Sequence, residues 1–154
     1  SWEGVSLLKL EKQPISKKKS MLYDGKIDRM LNLTQHVCTK IQEEQGVIEP
    51  ADKDYIKSLI TFEDIPEIED LRSRANKLVD VCKQEQVKFA LVAGAPFWLI
   101  VLEFYLRLHG ITPLHSFSKR IAYDHENADG TVQSIKTFVH AGWIQSPEYT
   151  LKWE

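Results

Sequence analysis

Apolar positions recur along this chain at two spacings, and the switches between them lay out a series of elements. Within IDRMLNLT, from Ile27, the apolar Met30, Leu31 and Leu33 read as a short first strand. In the following TQHVCTKIQEEQG, Thr39 and Gln42 stand at the spacing of a capping box, and Gly46 stops the turn they open. Glu49-Pro50 is expected to open a short helix through Ile60, with Tyr55, Ile56, Leu59 and Ile60 on one face. Asp64 and Glu67 repeat the cap pattern ahead of Ile68, Leu71, Ala75, Leu78, Val79 and Cys82, whose three- and four-residue steps predict a longer helix packed by one face on a sheet. Val87 to Ala93 is nearly continuous in apolar residues, as a parallel strand covered on both faces should be.

The stretch LVAGAPFWLIVLEFYLRLHG, residues 91–110, is apolar enough to suggest a membrane span. Gly94-Ala95-Pro96 breaks it early and Glu103 and Arg107 charge its second half, whereas a spanning helix needs about 20 mostly apolar residues. The same letters read as strand, turn and a helix with Pro96 in its first turn, ending at Gly110. That helix has Glu103 and Arg107 as its only expected wet stripe, so it is expected to be covered on more than one side, by a second protomer among others. Ile111 to Ser118 then forms a third strand, and IAYDHENADGTVQSIKTFVHAGWI a hairpin turning at Asp129-Gly130. The order β, α, β, α, β, hairpin, joined by right-handed crossovers, predicts an α/β protein: a Rossmann-like three-layer fold with a parallel sheet core and a C-terminal β-hairpin.

Composition changes this picture little. Twenty basic against 22 acidic residues exert no global pull toward duplex nucleic acid or anionic lipid, so an anion site must be local. Residues 1–28 differ from the rest: KLEKQPISKKKS is rich in lysine and poor in apolar side chains, and reads as a basic tail or linker ahead of a domain over 29–154. Trp2, Val5, Leu7, Leu8 and Leu10 are candidates to dock on the domain or a partner. Cys38 and Cys82 are too few for a disulfide framework and are expected as reduced thiols. With no signal-peptide pattern at the N-terminus, the cytoplasm is the expected compartment.

Ligands of open parallel sheets gather beyond the carboxyl ends of the strands. Three loops leave that edge: Thr34, Gln35 and His36 after the first strand; Gly94, Ala95 and Pro96 after the second; and Ser116, Ser118, Lys119 and Arg120 at the end of the third. A glycine that admits a ligand to the backbone, the free amides of a helix start and two cations converge on a phosphorylated guest. Neither G-x-G-x-x-G nor a P-loop is present, so a dinucleotide or an NTPase reaction is not expected. His36, Cys38, His115 and His140 have no standard zinc spacing, and no G-x-S-x-G elbow occurs, so neither a metal nor another cofactor is expected. Trp143 and Trp153 read as packing or dimer contacts.

The strand LNLTQH followed by a T-x-x-Q turn, then LVAGAPFW, LHG and a strand ending FSKR, resembles the small Rossmann-like proteins of CRISPR systems, the ring nucleases and CARF-type sensors, and also uncharacterised bacterial and phage proteins of similar length. The resemblance covers about residues 29–144. It implies a homodimer that binds a cyclic oligoadenylate across the strand ends of both protomers, in some members cutting it without metal, by in-line attack of a ribose 2′-hydroxyl on the neighbouring phosphate. On that reading Thr34, Gln35 and His36 hold ribose, with His36 the candidate general base, and the amides of Ala95 and Phe97 with Ser118, Lys119 and Arg120 grip phosphate. A sensor that binds without cutting, or a small protein-interaction module, is the alternative.

Overall fold

A computed structural model describes residues 8–12, 19–147 and 149–153, and in it the expected strands and helices follow one another as expected, with three further short strands, at Leu8–Lys12, Val47–Ile48 and Tyr149–Trp153, that apolar spacing did not predict. The elements are β1 (Leu8–Lys12), β2 (Met30–Asn32), α1 (Lys40–Glu44), β3 (Val47–Ile48), α2 (Lys53–Ile60), α3 (Ile68–Gln84), β4 (Phe89–Leu91), α4 (Pro96–Leu108), β5 (Thr112–Glu126), β6 (Val132–Ile144) and β7 (Tyr149–Trp153). Five strands make one sheet in the order β3-β2-β4-β5-β6. The first four run parallel and β6 returns antiparallel on β5, so the mixed α/β class, parallel core and C-terminal hairpin are all present. The sheet curls as a half-barrel. β1 and β7 pair antiparallel in a separate two-stranded sheet.

Side chains alternate across a strand, and here the alternation divides two apolar clusters. Leu31, Leu33, Ala90 and Val92 face α2, α3 and α4, where they meet Ile56, Leu78, Val79, Trp98, Leu102 and Leu106. Met30, Leu91 and Leu114 face the other way, with Val47 and Trp143, and are closed over by Tyr23 and Ile27. Residues 22–27 are therefore held on the domain. Leu22 bridges Ile144, the Tyr23 amide donates to the Trp143 carbonyl at 2.8 Å, and the Tyr23 ring meets Phe89 edge-on. Trp2, Val5, Leu7 and Lys17-Lys18 lie outside the described residues, as do the side chains of Leu8, Leu10 and Trp153.

Local signals set several boundaries. Thr39 and Gln42 form both bonds of the capping box, Gly46 adopts φ +105°, and Pro96 is the first residue of α4. Others moved. The α2 helix starts at Lys53 under an Asp52 cap, because the Glu49 carboxylate, expected at the helix mouth, is occupied elsewhere. Asp64 does not cap α3: the cap position is Glu67, without a side-chain bond, and Ile68 is left exposed rather than packed. β5 runs on to Glu126, since the alternating residues after Ser118 find a continuous partner in β6.

The largest correction concerns α4. Glu103 is not a wet position: its side chain is 12% exposed and accepts from His115 at 3.1 Å and from Ser146, with Arg107 at 3.5 Å. The solvent stripe is instead apolar, made of Ile100, Phe104 and Leu108. Among the described residues no helix is long and apolar enough to cross a membrane.

Candidate functional site

The carboxyl end of β2 leads to β3 on one side, and that of β4 to α4 and β5 on the other. Loops that part in this way leave a crevice between them, the usual ligand position of an open sheet. The crevice holds about 790 Å³, and its lining includes Gln35, Thr61, Glu63, Asp64, Gly94 and Phe97. Gly94 stands at φ +143°, a backbone few other residues tolerate, and a Cβ there would meet only Trp98, at 3.6 Å. The far wall is the α2–α3 connection. Its Phe62 ring packs edge-on against Phe97 and Trp98 and lies under the Arg74 guanidinium, which also donates to the carbonyls of Leu59 and Thr61 and pairs with Asp70.

The loop after β2 is fixed by a polar residue buried in an apolar strand. Asn32, fully buried, accepts from the Thr34 amide (2.9 Å) and hydroxyl (2.7 Å) and donates to the His36 carbonyl (2.7 Å) and Glu49 (2.8 Å). Glu49 also accepts from the Cys38 amide (2.7 Å) and Lys53 (3.0 Å), and Lys53 reaches the His36 carbonyl as well. Burial alone would raise the Glu49 carboxyl, but the bonds from Cys38, Asn32 and Lys53 outweigh it and hold its pKa below the ordinary value. Thr34 is therefore spent inside the loop, while Gln35 and the His36 side chain face outward. The Cys38 thiol is pushed up by burial and then by Glu49, and Cys82, buried in the core, is pushed up to about 12. Both are free thiols of low reactivity.

A second polar cluster joins α1 to the hairpin. Ser116 donates to His140 Nδ1 at 2.6 Å and accepts from Gln42, while His140 Nε2 donates to Gln45 and its ring lies 4.3 Å from that of Trp143. Burial lowers the His140 pKa, in keeping with a neutral ring that accepts at Nδ1.

The expected site residues thus fall into four groups. Gln35, Gly94, Ala95 and Phe97 line one crevice; Thr34 and His36 belong to the loop beside it; Ser116 is held by the α1 cluster. Ser118, Lys119 and Arg120 are not at a strand end. They lie exposed on the β5–β6 hairpin where it continues past the sheet, outside the crevice lining. The residues that the linear pattern missed are Asn32 and Glu49, whose only sequence signals are an asparagine inside an apolar strand and a glutamate before proline. Also missed is the acidic wall: among the described residues the crevice lining contains Glu63 and Asp64 but neither lysine nor arginine. Among the described residues no three His, Cys, Asp or Glu side chains are grouped to hold a metal ion.

Parallel strands, a divided strand edge and a crevice at the division define an open-sheet α/β protein with its candidate site at the strand ends. The chain belongs to the Uncharacterized protein MJ1673 family, whose model matches residues 28–144, from just before β2 to the end of β6. Neither a curated protein nor a solved structure matches it.

Proposed function

We propose that this protein is a cytoplasmic homodimer that binds a cyclic oligoadenylate, a nucleotide second messenger of CRISPR-type antiviral signalling, at the carboxyl edge of its sheet. The observation that carries the reading is the crevice between the exits of β2 and β4, floored at Gly94. Its lining favours a base over a phosphate: aromatic and aliphatic walls suit a purine face, and Glu63 and Asp64 suit an exocyclic amine while repelling an anion. Phosphates would then lie outside the crevice, toward Lys119 and Arg120 on the hairpin. A three-layer, Rossmann-like description of the fold belongs to the same proposal, with α2, α3 and α4 on one face of the sheet and α1 with residues 20–28 on the other.

The test is thermal stabilisation by cyclic tetra- and hexa-adenylate, since a ligand at a hundred times its dissociation constant adds about 2.7 kcal/mol. A rise in melting temperature with one ring, reduced in a Gln35→Ala, Phe97→Ala chain, is the expected result. No shift with either ring at submillimolar ligand sinks the reading.

Cleavage is the second reading, favoured by the His36 ring standing exposed on a loop whose backbone is pinned by Asn32 and Lys53. A ribose 2′-hydroxyl would attack the adjacent phosphorus, His36 taking its proton, and the 5′-oxygen would leave to give a 2′,3′-cyclic phosphate. Product analysis of the same samples, parent against His36→Ala, decides it: about a tenfold or greater slowing marks a general base.

A further inference from the structure

Among the described residues, two apolar surfaces have no cover. The first is the outer face of α4. Trp98, Leu102 and Leu106 turn toward the sheet and Glu103 toward β5, which leaves Ile100, Phe104 and Leu108 as one ridge at four-residue spacing, 73%, 58% and 63% exposed. Phe97 extends the ridge toward the crevice. On a surface helix this is the face where charged residues belong.

The second surface is an arm. Among the described residues β5 pairs with β4 only through Thr112–Leu114, and from Ser118 to Glu126 its sole strand partner is β6. A lone two-stranded ribbon is marginal in water. The register shift leaves Ala141 of β6 unpaired, so along β5 every second residue keeps its side. His115 meets Glu103 of α4, which puts Phe117, Lys119, Ile121 and Tyr123 on the α4 side of the sheet, opposite Gly142, Val139, Thr137 and Ile135. Phe117, Ile121 and Tyr123 are about half exposed, and the Lys119 stem runs between them with its ammonium free to reach the rim.

We propose that the arm of one copy lies across the α4 ridge of a second copy, and reciprocally, in a two-fold dimer. The areas favour this over a helix-to-helix contact. A half-exposed aromatic side chain leaves on the order of 100 Å² to cover, so the α4 ridge alone offers roughly 400 Å². A stable interface takes about 800 Å² from each partner. The arm face supplies a comparable second portion, and a two-fold axis covers both surfaces on both copies because each contact occurs twice. Joining ridge to ridge would leave both arms bare. This deepens the dimer of the functional proposal by naming its surface, and its test contains no ligand, so the two fail separately.

Sedimentation of the full chain is expected to show a dimer, and Phe104→Glu or Tyr123→Glu, both at exposed positions, a monomer with an unchanged far-ultraviolet spectrum. In a Cys38→Ser background, a Phe104→Cys chain mixed with a Tyr123→Cys chain and oxidised should give a covalent dimer of unlike chains that neither gives alone. A monomeric parent, a folded Phe104→Glu chain that stays dimeric, or a covalent dimer from Phe104→Cys alone overturns the proposal.

Discussion

Asn32 and Glu103 show how single polar side chains set the geometry on the two faces of the sheet. Asn32 occupies a strand position whose neighbours are Leu31 and Leu33, and its amide substitutes for the backbone partners that the Thr34–His36 turn lacks. Glu103 does the same between α4 and the sheet, joining His115, Arg107 and Ser146. Burial alone would raise the Glu103 carboxyl, but the His115 bond and charge, with Arg107 and Ser146, outweigh it, so Glu103 like Glu49 lies below the ordinary 4.5. A carboxyl depressed by folding adds stability above its unfolded pKa and loses it as pH falls through the folded one. The urea midpoint is therefore expected to hold from neutral pH down to about pH 4.5 and to fall below it. A Glu103→Gln chain should start lower at neutral pH and show a shallower acid limb. Parallel acid limbs in parent and variant would contradict this.

At the scale of the element, short helices and strands here depend on their ends. The α1 helix has five residues, none buried, so it rests on the Thr39 capping box and on the Gly46 turn that returns the chain into β3. Gly46 has both a left-handed backbone and no room: a Cβ would sit 3.1 Å from the carbonyl oxygens of Ile27 and Asp28. The left-handed backbone alone costs a residue with a Cβ about 1–2 kcal/mol, and the crowding adds to it. Gly46→Ala is thus expected to cost at least about 1 kcal/mol in urea unfolding, and a change within error would show the turn to be slack. The Thr39 cap and the Gly46 turn were legible in the sequence because their partners lie within a few residues, whereas the same local pattern misplaced the starts of α2 and α3. The length of β5 was not, because what extends IAYDHE as strand is its pairing with β6 across the hairpin.

For the whole molecule, two clusters share one thin sheet, and the smaller depends on residues before the family match begins. Tyr23 and Ile27 close over Met30, Leu91 and Leu114, and Leu22 bridges the far edge at Ile144. A chain starting at Asp28 should therefore unfold at a lower urea concentration than one starting at Ser20, by the loss of two partly buried side chains that each contribute up to about 1.5–3 kcal/mol when fully buried. Equal midpoints would mean the segment merely rests on the surface.

By itself the sequence determined the succession of β2, α2, α3, β4, α4 and β5, the parallel core and the loops that leave β2 and β4, because each follows from apolar spacing and turn chemistry within a short window; the short strands β1, β3 and β7 and the course of β5 past Ser118 it did not. It also placed Gln35, Gly94, Ala95 and Phe97 at the same edge, since strand direction alone sends them there. Only the tertiary structure decided which side chains at that edge meet. Asn32 finds Glu49 across 17 residues and Gln42 finds Ser116 across 74, separations that no local pattern encodes. The same holds for α4: thirteen residues with little charge look buried all round, yet one sheet can cover only one face of a helix. Where the rest of that face points depends on what stands beyond it, and within this chain nothing described does.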